Sequence, residues 1–175
     1  CDSIAHEQAL KGGKTIAILP SALNNIMPAT NRGLAFEIVD AGGLIISEYF
    51  DDHKSGMELS SRYHERDRLQ ALYCDAIILV ASYAQDSAER WKLFGEKLDS
   101  GARLAMGFAK DYNIPRAVMY DQNIDKDNPM FDLNRQLISE QRDVTVLTQK
   151  SLEGLVNKVL FKKKREQVKQ NDLFN

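Results

Sequence analysis

The chain has 175 residues, 43% hydrophobic and 27% charged, which is enough to bury one core and too apolar for a disordered polypeptide. Lys and Arg number 23 against 25 Asp and Glu, a net charge of −2, so no overall basic field advertises nucleic acid and any such binding needs a local patch. Cys1 and Cys74 form no CxxC pair, and the apolar run at 76–82 falls far short of the ~20 residues that span a bilayer.

Taken in chain order, the pattern opens with a helix over 2–11. Asp2 or Ser3 is placed to cap it, Ile4, Ala5, Ala9 and Leu10 form its apolar stripe, and Gly12-Gly13 stop it. A strand follows over 14–20 ("KTIAILP"), then a helix over 31–41, a strand over 42–50 ("GGLIISEYF") and a helix over 61–73. A third strand spans 75–82 ("DAIILVAS"). Residues 84–99 read as an inserted helical arm carrying Trp91, the only tryptophan. A helix over 100–112, a strand over 114–121, a helix over 131–140 and a strand over 143–148 complete the alternation. Strands apolar on consecutive residues, separated by amphipathic helices, predict a Rossmann-like doubly wound α/β fold with a mainly parallel sheet covered on both faces. Ligands of such folds bind beyond the carboxyl ends of the strands. One domain is expected over 1–160 and a polar tail over 161–175. An opening helix with no strand before it suggests that one or more β-α units precede Cys1.

The familiar catalytic and cofactor fingerprints are absent: there is no GxGxxG, no GxxxxGK[ST] and no GxSxG. His6, His53 and His64 have no metal-ligand spacing between them. The expectation is a cytoplasmic binding protein without cofactor, metal or catalytic residue and without a membrane segment or signal peptide.

The stretch "RYHERDRLQALYCDAIILVAS", 62–82, crowds three arginines, a histidine and two carboxylates ahead of a core strand. Arg66 and Arg68 could clamp phosphates through their planar donors, or Glu65 and Asp67 could neutralise them in an ordinary polar first turn. A helical stripe of Leu69, Leu72 and Tyr73 predicts that Arg62, Arg66 and Gln70 face outward.

Five segments in order resemble the DNA-processing protein A (DprA/Smf) family. "CDSIAHEQALKGG" through "PATN" is similar to the family's Gly-Ile-Asp-x-x-Ala-His-x-x-Ala-Leu helix, strand and Tyr-Pro-x-x-Asn loop, with Asp2, Ala5, His6, Ala9, Leu10, Pro28 and Asn31 on the pattern. "GGLIISEY" resembles its Gly-Gly-x-x-x-Ser-Glu-Tyr segment, and Tyr63, Arg66, Arg68 and Asp75 match its Phe-x-x-Arg-Asn-Arg helix and Ser-Asp strand start. Asp67 stands where the family has asparagine. Ser100-Gly101 and "NRQLI", 134–138, fall on its Ser-Gly and Asn-x-Leu-Ile helices.

The resemblance covers about residues 1–148 and implies single-stranded DNA binding and handover to a RecA-type recombinase in DNA uptake or recombination. It singles out Arg66, Arg68, Asn31, Ser100, Gly101, Ser21 and His6 for phosphate or nucleic acid. Asn31 and Ser100 also read as helix caps, and His6 also reads as structural. A free nucleotide or nucleotide second messenger is the alternative ligand. Nucleoside hydrolysis with Glu48 as base would follow phosphoribohydrolase relatives of the fold, whose Pro-Gly-Gly-x-Gly-Thr-x-x-Glu motif this chain lacks. Finally, "QNDLF", 170–174, resembles the peptide that bacterial proteins insert into the sliding clamp, with Gln170, Asp172, Leu173 and Phe174 as contacts. A homodimer is compatible with all of these readings.

Overall fold

The computed structural model describes residues 2–93, 95, 98, 101–140, 143–148, 150–157 and 159. The chain divides into two compact units, Cys1–Gln70 and Ala71–Asn175.

In the first unit, helix α1 (Asp2–Gly12) leads to strand β1 (Ile16–Leu19). A 3₁₀ turn at Ala29–Asn31 then feeds α2 (Arg32–Asp40), followed by β2 (Leu44–Ser47) and the long α3 (Gly56–Leu72). β1 and β2 pair in parallel, Ile16 opposite Leu44 through Leu19 opposite Ser47. α2 packs on both strands and on α1, burying Ala35 and Ile38.

The turn from α2 into β2 is set by two glycines. Gly42, at φ 73°, donates to the Val39 carbonyl and Gly43 to that of Ile38, the paired bonds that close a helix on a left-handed residue. A Cβ on Gly43 would lie 2.5 Å from the Thr15 carbonyl oxygen, so this close approach admits only glycine.

In the second unit, β3 (Ile77–Leu79), α4 (Ser87–Arg90), α5 (Gly101–Asp111), β4 (Arg116–Met119), α6 (Gln122–Asp125), α7 (Asp132–Glu140) and β5 (Val144–Leu147) follow in order. The strands run β3-β4-β5, all parallel. Leu79, Ala84, Met106, Val118, Leu133 and Leu137 form the core, and Ile77, Ile138, Val144 and Val146 pack against it. Arg116, Ala117 and Val118 of β4 are buried on consecutive residues, as a strand flanked on both edges and covered on both faces requires. α5 closes on Asn113, at φ 56°, whose amide and that of Ile114 bond to Lys110 and Ala109. The fold is α/β, Rossmann-like and doubly wound, and every strand pairing among the described residues is parallel.

Three local expectations change. Among the described residues the arm at 84–99 is helical only at Ser87–Arg90, because Lys92 turns to φ 56° and Leu93 bonds back to Ala88. α3 begins at Gly56 rather than 61. The Ser55 hydroxyl accepts from the Glu58 amide at 3.1 Å and the Glu58 carboxylate accepts from the Lys54 amide at 2.8 Å, a reciprocal cap that starts the helix a turn and a half early. Lastly, Leu72 and Tyr73 are exposed while Arg62 is buried, so the α3 stripe expected from apolar spacing is rotated.

Candidate nucleic-acid interface

At the carboxyl ends of β1 and β2, side chains tie two loops together. The Ser47 hydroxyl donates to the Ser21 carbonyl at 2.8 Å, the Ser21 hydroxyl accepts from the Met27 amide, and Asn25 donates to Asp52 at 2.9 Å. Ser21 is fully buried, so its hydroxyl shapes the 20–27 loop from within.

Three arginines of α3 meet this edge in different ways. Arg62 is buried: it donates to the Asp51 carbonyl and to Glu58, both at 2.7 Å, and stacks 4.3 Å from the Tyr49 ring centre. It thus staples the loop after β2 to the helix. Arg66 reaches back to the Ile18 carbonyl at 3.2 Å, pairs with Asp67 at 3.2 Å, and its side chain is only 16% exposed. Arg68 donates from a single nitrogen to both carboxylate oxygens of Glu48, at 2.5 and 2.6 Å. This pair is the more open one, with Arg68 39% and Glu48 41% exposed at their side chains.

The acids around them are divided accordingly. Glu65 accepts from the Tyr49 hydroxyl at 2.7 Å and from Ser61, and Arg68 pairs with Glu48, just after β2, rather than with its helix neighbour. The Tyr49 phenol is pushed up to about 12 by partial burial and by the bond to Glu65, which keeps it a donor. Glu58 is held below the usual carboxylate range by the Lys54 amide and by Arg62. Asp67 is 3% exposed. Burial pushes its carboxyl up despite Arg66 beside it, and its Oδ2, like the Arg66 Nε, has no hydrogen-bond partner.

The other expected site residues scatter. His6 Nδ1 lies 2.7 Å from the Thr15 hydroxyl, tying α1 to the start of β1 and thus to the opposite end of that strand from the arginine edge. Asn31 occupies the N-cap position of α2 without a side-chain cap bond. Gly101 is the first residue of α5 in the second unit. Ser100 lies outside the described residues, as do Gln170, Asp172, Leu173 and Phe174. The residues that organise the arginine edge, Glu48, Tyr49 and Arg62, are not singled out as its partners by sequence; the Ser-Glu-Tyr of "GGLIISEY" is the signal that contains two of them.

The second unit has its own strand-end chemistry. Fully buried Asn134 donates to the carbonyls of Val80 and Met119 at 2.9 and 2.8 Å, joining the ends of β3 and β4, and its oxygen accepts from the Ser82 amide. Asp132 accepts from Ser87, Trp91 and Arg135 at 2.7, 2.7 and 2.5 Å, with Arg90 at 3.4 Å. Burial alone would raise its carboxyl. The bonds from Ser87, Arg135 and Trp91, with the Arg90 charge, outweigh that and hold it below the usual range. Among the described residues no group of three His, Cys, Asp or Glu side chains could hold a metal ion, and no helix is long and apolar enough to cross a membrane.

The family model of DNA recombination-mediator protein A matches residues 1–88, which takes in the whole arginine edge and half of the 175 residues. No curated protein matches the chain. With a parallel α/β fold and this match spanning the β1–β2 edge and α3, the chain belongs to the DNA recombination-mediator protein A family, whose role lies in DNA recombination and processing.

Proposed function

We propose that the chain binds single-stranded DNA at the carboxyl-end edge of the β1–β2 unit and passes the strand to a RecA-type recombinase, in the cytoplasm and without covalent chemistry. The observation that carries this reading is Arg68: from α3 it reaches Glu48 just beyond the end of β2, within the family-matched stretch, with a partly exposed side chain. A planar guanidinium held at a strand end suits a phosphate oxygen pair. With a net charge of −2, the attraction is local, and sequence preference is not expected from phosphate contacts.

The test is fluorescence anisotropy of a labelled oligo-dT across a salt series. Binding should weaken linearly on a log–log plot. Arg68→Ala should raise Kd and flatten the slope by roughly 0.7, the share of one phosphate contact on a single strand. No salt-sensitive affinity for oligo-dT, together with stabilisation by a mononucleotide in a thermal-shift assay, would replace this reading with a free-nucleotide site.

A further inference from the structure

The arginines of α3 differ in what a phosphate would have to displace. Arg62 and Arg66 bond to backbone carbonyls, of Asp51 and Ile18, and are largely buried; recruiting either would unpick the loop after β2 or the end of β1. Arg68 is instead engaged by the Glu48 carboxylate, through both of its oxygens and on one nitrogen. Both side chains are about two-fifths exposed, and a pair this wet contributes little to folding.

A carboxylate and a phosphate present the same oxygen pair to a guanidinium. They therefore cannot both hold that nitrogen, and a displaced Glu48 would remain beside the incoming strand as a like charge. We propose that Glu48 is an affinity-setting residue: its carboxylate holds one Arg68 nitrogen and competes with a strand phosphate for the guanidinium. This rests on the reading that Arg68 meets phosphate. Displacement costs the same for any phosphate ligand, so Glu48 sets affinity and leaves the preference between strands and mononucleotides unchanged.

The experiment is a double-mutant cycle on the full chain with oligo-dT, combining Glu48→Gln and Arg68→Ala, with Asp51→Asn as a control for removing one acid from the same loop. Glu48→Gln should tighten binding roughly two- to fivefold, the range of an exposed ion pair, and steepen the salt slope by up to about 0.7. Asp51→Asn should do less. In the Arg68→Ala background the Glu48→Gln gain should vanish. Thermal midpoints check that each variant folds, and Glu48→Ala serves if the glutamine variant does not.

Unchanged or weaker binding by Glu48→Gln, or a gain that persists without Arg68, overturns the inference while leaving the DNA reading intact. Binding by neither the parent chain nor Glu48→Gln overturns both. Binding by Glu48→Gln alone supports the inference about Arg68 and overturns single-strand binding by the parent chain.

Discussion

Asp67 is the charged residue of α3 least suited to its surroundings. It is buried, one oxygen is unpartnered, and its carboxyl is pushed up by burial even with Arg66 at 3.2 Å. A carboxyl raised in the folded state favours folding most when protonated. That contribution is present below the unfolded pKa and is lost as pH rises through the folded one. Asp67→Asn, which restores the residue type of the family pattern, should therefore stabilise the chain at neutral pH by about 1 kcal/mol. Its advantage in urea melts should shrink on acidification into the carboxylate range; a destabilised variant would show that the Arg66 pair outweighs the burial. The two candidate arginines separate by the same assay. Arg66→Ala removes a bond to the Ile18 carbonyl and should cost about 1–2 kcal/mol, whereas Arg68→Ala, which opens an exposed pair, should cost less than about 1 kcal/mol. Sequence brings Arg66 and Arg68 forward as equals. Their difference arises from partners 48 and 20 residues away, which no local pattern contains.

At the scale of elements, strands were easier to read than helix faces. Runs of Ile, Val and Leu bounded by Gly, Pro or Asp locate the five strands of the described residues, because β-branched and apolar runs of this length suit a parallel strand. The face of α3 was misjudged because an apolar stripe treats arginine as outward, while here Arg62 is buried over Tyr49 with its charge met by Glu58 and a carbonyl. Its start was legible in Ser55-x-x-Glu58, a capping signature ahead of the residues taken as the helix. In the second unit the 87–91 segment hangs on the buried Asp132 carboxylate. Asp132→Asn should loosen it at a cost of about 2–4 kcal/mol and shift the emission of Trp91, the sole tryptophan, to the red. Because the Asp132 carboxyl is held low, its stabilisation is present above the unfolded pKa and should be lost only as pH falls through the depressed folded value. An unshifted Trp91 spectrum would mean that the segment is held by its other contacts.

For the whole molecule, the near balance of charge sets how the proposed DNA binding should behave. With a net of −2 there is no long-range field to gather a polyanion, so affinity must come from a few contacts. Two or three phosphate contacts on a single strand correspond to a loss of about 7- to 20-fold in affinity between 50 and 200 mM salt. A much steeper dependence in the oligo-dT titration would demand basic residues beyond the α3 edge.

Sequence by itself determined the order of the strands and main helices, the parallel α/β class and the family. Each is written in neighbouring residues: apolar runs and short motifs in order. Only the tertiary structure decided which arginine side chain is the more exposed, which are bonded to backbone carbonyls, and that Glu48, just after β2, rather than Glu65 pairs with Arg68. The partner of a long charged side chain is chosen by whatever the fold brings within about 3 Å, and that choice is made across the chain, not along it.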